Sequence, residues 1–298
     1  MKDFQTFYES ILQDPVTHIP LKFDQKEHCF LSNNGDFFSI VNTIPIILPK
    51  ETETIKDTSA FDYYNHYKED AIQFDYFEEY EHPASRFEQN MLHQYIASKV
   101  HKSTQTILDI GCGNGWAADM FLPMGKTVIS TDIAMTNPLK AIEKYPSPQH
   151  FGLVADALHL PIQDESIDIV IAAEIMEHLV DPQKFVQNVY RVIRPGGKIL
   201  ITTPYHEKLE FSLCIHCNQP TPRHAHLHSF HEKNILHLMP KGCLFSTNIF
   251  MNKYLLKANT HVLLKYGSFS FWKTMDQWAE KLKPDALRFL IEITKPQT

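Results

Sequence analysis

The chain has 298 residues, 43% of them hydrophobic, so it can bury a substantial core as one large domain or one domain with a small appendage. A formal charge of −7 supplies no basic field for bulk nucleic-acid binding, and no stretch approaches the ~18 unbroken apolar residues of a membrane span. The opening MKDFQTFYESILQDP lacks a basic segment followed by an apolar run, so a cytoplasmic location is expected, and five cysteines, an odd number, argue for thiols or metal ligands over a disulfide framework.

Residues 1–55 carry short apolar runs broken by Pro and Asn-Gly, as in FFSIVNTIPIILP, and predict a small β-rich module. Residues 56–103 are acidic and aromatic and predict helices interrupted at Pro83. From residue 104 to 298, short apolar runs alternate with helical stretches: QTILDIG, KTVISTD, HFGLVAD, IDIVIAAE and GKILITTP read as parallel strands joined by crossover helices. DPQKFVQNVYRVIRPGG, between the last two, reads as a helix started by Asp181-Pro182 and stopped by Pro195-Gly196-Gly197. FSTNIFMNKYL and ALRFLIEITK suit two closing strands, with MDQWAEKL as a helix between them. The fold class is α/β and doubly wound.

ILDIGCGNG, Ile107 to Gly115, carries the strongest chemical signal. A strand ends in Asp109, and Gly111, Gly113 and Gly115 let the chain turn sharply and expose bare backbone to a ligand. The nicotinamide fingerprint would require a further glycine where Trp116 stands. Asp132 ends the next strand, at the distance from which a carboxylate reaches ribose hydroxyls. Asp156 ends the third and Glu174 the fourth. One such acid is ordinarily a helix cap or a solvated turn; four in succession place a row of carboxylates at the edge of the sheet where ligands bind.

With ILDIGCGNG, STDIA, ADALHLP, EIMEHLVDP and RVIRPGGKILITTP in order, the segment from about Thr104 to Pro204 resembles the class I S-adenosylmethionine-dependent methyltransferases of the small-molecule type. The resemblance implies a mostly parallel, seven-stranded Rossmann-like sheet and an enzyme that methylates an acceptor, expected to be a small molecule. A macromolecular acceptor (tRNA or protein) and a module that binds cofactor without turnover are the alternatives. It implies that backbone near Gly111, Cys112 and Gly113 faces the methionine part of S-adenosylmethionine and that Asp109 holds its amino group. Asp132 would bind the ribose hydroxyls beside Ile133, Asp156 and Ala157 would bind the adenine, and Glu174 would face the sulfonium end. Methyl transfer needs alignment and the loss of one proton, for which Glu174, Glu177 and His178 are the candidate bases. For His178 and Glu177, ring packing and turn capping are the bland alternatives. By the same resemblance the aromatics Tyr63, Tyr64, Tyr76 and Phe77 could belong to a lid, or simply to an amphipathic pair covering the sheet.

Residues 9–50 resemble the small zinc-ribbon-like domain that partners or is fused to some methyltransferases, through Asp14-Pro15-Val16-Thr17, the turn at Gly35 and the closing FSIVNTIPIILP. Asp14, Thr17, Leu31 and Asn34 stand where that domain often has cysteines, and Cys29 falls out of register, so any zinc has been lost. A cap on the sheet edge and a docking site for a protein partner are both open.

An insert at about 205–231 contains CIHCNQPTPRHAHLHSF. Cys214 and Cys217 offer two thiolates from one turn, and if the chain is extended His224, His226 and His228 point to one side, which together suit tetrahedral zinc. Resemblance to similar methyltransferase inserts favours His226 and His228, with His224 as substitute. Four protein ligands close the shell, so the expected zinc is structural rather than catalytic.

Overall fold

A computed structural model of the chain describes residues 4–50, 62–78, 82–215, 218–257, 262 and 266–297. The run IDIVIAA forms a strand, β8, spanning Ile167–Ala173, with six of its residues buried. Burial on both faces is what a central parallel strand requires, and it explains why the run is continuously apolar rather than alternating. Its neighbours are β5 (Thr106–Ile110), β6 (Thr127–Asp132), β7 (His150–Ala155) and β9 (Ile193–Pro204). All five are parallel, in the order β7-β6-β5-β8-β9. The chain therefore winds outward from β5 in one direction, then returns to β8 and winds in the other. The carboxyl ends of β5 and β8 flank the point of reversal, where an open α/β sheet leaves a crevice.

Beyond β9, strands β13 (Ala286–Thr294) and β12 (Leu244–Asn252) run antiparallel, each to its neighbour. These complete the seven strands expected from the sequence. The sheet is nevertheless larger, with eleven strands. On the opposite side, β1 (Lys22–Asp24), β2 (Cys29–Leu31), β3 (Phe37–Val41) and β4 (Ile44–Ile47) continue it, and β4 lies parallel to β7 through Ile46–Val154 and Ile47–Ala155. The open edge that β7 would otherwise present is thereby paired. Asp14, one of the positions where the resemblance has cysteine, accepts the amides of Val16 and Thr17 at 2.9 and 2.8 Å and holds that turn by hydrogen bonding.

Side chains alternate along each strand, so the sheet separates two cores. Leu108, Val170, Ile199 and Ile201 pack on one face with Phe185 and Val189 of the helix α6 (Pro182–Val192). That helix starts as its sequence predicts: Asp181 caps the amide of Lys184, and Pro182 occupies the first turn. Phe7, Tyr8, Ile11, Leu12 and Phe30 belong to the same core, so the N-terminal segment from residue 4 shares it with the central strands. Ile107, Ile169 and Leu200 face the other way, onto α3 (Pro83–Ala97), α4 (Trp116–Phe121) and Trp272 of α8 (Phe269–Leu282). The buried side of α3 is Phe87, Met91, Leu92, Tyr95 and Ile96, a helical stripe. The remaining helices among the described residues include α1 (Phe4–Glu9), α2 (Tyr63–Gln73), α5 (Thr136–Lys144) and α7 (Lys253–Lys257).

The insert leaves β9 as an exposed hairpin, β10 (Phe211–Leu213) and β11 (Pro220–Pro222), which makes its own two-stranded sheet. It then returns to the main body, where the amides of Leu227 and His228 donate to the carbonyl of Glu177 at 2.8 and 3.2 Å.

The N-terminal residues are tied to β7 by a stack of Phe7 on Phe151, with ring centroids 3.7 Å apart, and by the Tyr8 hydroxyl donating to the Gly152 carbonyl. Phe7→Ala is expected to lower stability by about 3–5 kcal/mol, because it opens a cavity in the shared core. Urea unfolding followed by tryptophan fluorescence should show one transition at a lower midpoint; an unchanged midpoint would mean that the N-terminal segment folds apart from the sheet.

Candidate active site

The carboxyl ends of β5, β6, β7 and β8 open into a cavity of about 730 Å3. After Asp109 the chain must turn at once. Gly111, Gly113 and Gly115 all adopt positive φ, and a Cβ on Gly111 would lie 2.1 Å from Ile175 Cδ1. The amides of Gly111 and Cys112 both donate to the Thr131 carbonyl, at 2.8 and 3.0 Å, which ties the loop to the end of β6. Gly111, Cys112 and Gly113 line the cavity.

The acids differ in how they are satisfied. Asp109 is 1% exposed and lies behind the cavity wall, and its Oδ2 has no hydrogen-bond partner. Burial, with the charge of Asp132 adding to it, raises its pKa to about 7. Asp132 lines the cavity beside Ile133; it accepts the Ala134 amide at 3.0 Å and the Asn137 side-chain amide at 2.9 Å. Burial raises its pKa too, and those donors pull it back. Asp156 accepts the Leu158 amide at 2.8 Å, while its Oδ2 meets the Tyr63 hydroxyl and His159 Nδ1, both at 2.7 Å. Asp156 and Ala157 also line the cavity. Tyr63 opens α2, and Tyr67 and Tyr76, within and just after that helix, join the lining, so the segment covers the cavity.

Glu174 sits at φ 57°, a strained conformation for a non-glycine residue, and faces the cavity. Its Oε2 is 3.0 Å from Arg288 Nε, and Arg288 Nη2 is 2.6 Å from Glu88 Oε1. Burial raises the Glu174 pKa and Arg288 lowers it in part. Glu177 is 1% exposed and lies behind the wall. Neither of its carboxylate oxygens has a hydrogen-bond partner, and burial, reinforced by the Glu174 charge, holds its pKa well above the ordinary range. His178 reaches the cavity; its Nδ1 lies 3.3 Å from the Ala225 carbonyl, and burial, then the nearby His226, pushes its pKa down to about 4. Arg288, Asn137 and Tyr67 were not anticipated from the sequence. Nothing in the text of β13 marks Arg288 apart from other strand residues that alternate with apolar ones.

The insert departs from its expected arrangement. His224 and Ala225 take positive φ, 58° and 55°, in a 3-10 turn, so the stretch is not extended; the His224 and His226 ring centroids lie 5.8 Å apart while His228 packs by Phe230. His224 lines the cavity, His226 packs on His178 with centroids 4.8 Å apart and meets Glu207 through Nδ1, and His228 leaves Nε2 buried without a partner. Cys214 sits at the exposed end of the β10–β11 hairpin, and Cys217 lies outside the described residues. Among the described residues Cys214, His226 and His228 are not gathered around one point; the group close enough to share an ion is Glu177, His178 and His226.

A glycine-rich turn followed by acids at successive strand ends, around a cavity at the point of strand reversal, is the arrangement with which doubly wound sheets commonly bind nucleotide-type ligands. Residues 108–201 match the family described as Methyltransferase domain. The chain is 35% identical over 99 residues to "Probable S-adenosylmethionine-dependent methyltransferase" of Mycolicibacterium smegmatis, covering 33% of this chain and 37% of that protein. It is 33% identical over 114 residues to the chloroplastic tocopherol O-methyltransferase of Arabidopsis thaliana, covering 36% and 32%. The match thus spans about a third of the length of these curated relatives. Among solved structures, an S-adenosylmethionine-dependent methyltransferase from Mesorhizobium loti superposes with a TM-score of 0.51 at 14% identity, over 70% of this chain and 99% of that one, which shows the shared fold.

Because the folded Asp109 pKa of about 7 lies above its ordinary 3.8, the folded state retains a proton that the unfolded chain has lost, and stability falls as pH rises between those values. Asp109→Asn removes that penalty. The variant is expected to melt above the parent protein at pH 7.5, with the difference shrinking to nothing near pH 4. A pH series of thermal melts checks this, and a variant less stable than the parent at pH 7.5 would mean that Asp109 is held by a donor.

Proposed function

We propose that this protein is an enzyme that transfers a methyl group from S-adenosylmethionine to a small-molecule acceptor. The observation that carries the reading is one cavity beside the Gly111 turn lined by the acids ending β6, β7 and β8, with Asp109 of β5 buried behind it, in the segment that matches the methyltransferase domain. The residues fit the cofactor: Asp109 keeps a buried oxygen with no donor, and Gly111 and Gly113 of the turn line the cavity. Asp132 would hold the ribose hydroxyls, Asp156 and the Ala157 amide the adenine, and Asp109 with Gly111 and Gly113 the amino-acid end. When bound, the cofactor supplies an electrophilic methyl carbon on a positively charged sulfur.

The chain's own part is alignment and exclusion of water. Tyr63, Tyr67 and Tyr76 cover the cavity and leave room for an acceptor of modest size. Glu174 and His178 face that space, whereas Glu177 stands behind it. Glu174 is anchored by Arg288, so its carboxylate is positioned to orient the acceptor. His178 is held neutral, able to accept a hydrogen bond from the acceptor's proton yet weak as a base. This suits an acceptor whose proton is already acidic. Residues 4–50 serve as a cap on the sheet edge, supported by the β4–β7 pairing and the shared core.

Calorimetry with S-adenosylhomocysteine should show binding, and Asp132→Ala should weaken it roughly tenfold or more, since a hydrogen bond to a charged group contributes ~1.5–3 kcal/mol. Incubation of a metabolite extract with methyl-labelled cofactor should place label in the low-molecular-weight fraction. Label in protein or RNA would instead identify a macromolecular acceptor, and binding without any labelled product would identify a module without turnover. Binding of nicotinamide cofactors in place of S-adenosylhomocysteine would overturn the reading.

A further inference from the structure

We propose that Glu177, His178 and His226 form a binding site for a divalent transition-metal ion, zinc being the best fit, at the seam between the 3-10 turn after β8 and the insert. One ligand atom from each residue lies within 4.8 Å of the other two. Around a tetrahedral ion with bonds of ~2.1 Å, ligand atoms stand ~3.4 Å apart, so the side chains need to close by up to ~1.4 Å.

Three features point to an ion rather than a chance cluster. First, Glu177 is 1% exposed and both its carboxylate oxygens lack any hydrogen-bond partner. A buried carboxylate left this way is costly, and a cation supplies what is missing. Second, each imidazole is already fixed through Nδ1, His226 by the Glu207 carboxylate and His178 by the Ala225 carbonyl. Metal-ligating histidines are oriented in this manner, with the second nitrogen left free for the metal, here Nε2. Third, the backbone has brought the two segments together independently of the side chains, since the amides of Leu227 and His228 donate to the Glu177 carbonyl. Two imidazoles and one carboxylate suit zinc, and three protein ligands leave a coordination position open.

This set differs from the tetrahedron of Cys214, Cys217, His226 and His228. The two share only His226, so they make opposite predictions. An ion here would fasten the insert to the sheet beside the cavity and would take up His178 Nε2 as a ligand, leaving Glu174 alone to meet the acceptor. The inference concerns the metal alone and stands whether or not the chain transfers methyl groups.

The test is zinc chloride binding to chelator-stripped, full-length protein, by equilibrium dialysis with metal analysis. One ion per chain is expected, with affinity falling about a hundredfold in Glu177→Gln and in His226→Ala, and unchanged in Cys214→Ser and Cys217→Ser. Glu207→Gln leaves every ligand in place and should weaken binding about tenfold, the usual range for losing a partner of a ligating histidine. Circular dichroism of the stripped variants establishes that each is folded. Cobalt substitution gives an independent readout: visible bands without the strong near-ultraviolet thiolate absorption support the Glu-His-His set. Zinc that fails to bind, binding lost in the cysteine variants, or binding indifferent to Glu177→Gln and His226→Ala would each overturn the proposal.

Discussion

The carboxylates gathered at the carboxyl edge of β5 to β8, with Glu177 behind them, must be taken out of water together, and the segments around the cavity are arranged to answer that demand. Asp132 receives a backbone amide and Asn137; Asp156 receives an amide, the Tyr63 hydroxyl and His159; Glu174 receives Arg288. Asp109 and Glu177 receive too little, and their pKa values rise accordingly. Like charges crowded into a low-dielectric space raise one another's pKa values, so what remains unsatisfied marks where a ligand donor or a cation belongs. Under the proposed function the group missing at Asp109 would be a cationic amino group, and under the proposed metal site the one missing at Glu177 would be an ion.

The donors come from widely separated parts of the chain. Tyr63 arrives on α2, before the first central strand, and Arg288 arrives on β13, near the end of the chain. Arg288 also contacts Glu88 on α3, so one guanidinium joins the helix packed on the second core, the closing strand and the end of β8. The insert supplies the Ala225 carbonyl to His178 and two amides to the backbone carbonyl of Glu177. Segments outside the central α/β unit therefore finish the cavity, and they are where an acceptor would be told apart. On the far side β4 pairs with β7, so that edge of the central strands is hydrogen-bonded rather than open.

The central strands were legible because a strand buried on both faces must be apolar throughout, and the acids that end them stand out against such runs. Asp181-Pro182 announced its helix for an equally local reason. The insert was not legible: alternation of His224, His226 and His228 implies one side only in an extended chain, and positive φ at His224 and Ala225 breaks that premise. Neither residue is a glycine, so nothing in the text warns of it. Glu177 and His178 are neighbours in sequence, yet the 3-10 turn of Met176–His178 sends one behind the wall and the other into the cavity. Arg288 depends on the register of β13 against β9, where it sits opposite Pro204, a long-range pairing that local pattern does not encode.

A crystal structure of the protein with S-adenosylhomocysteine tests the central claim most directly. The account predicts the ligand within the cavity at the ends of β5 to β8, its ribose hydroxyls on Asp132, its amino group beside Asp109 and its sulfur toward Glu174 and His178. A ligand bound elsewhere, or one in the cavity that makes no contact with Asp132 and leaves Asp109 without a donor, would contradict it.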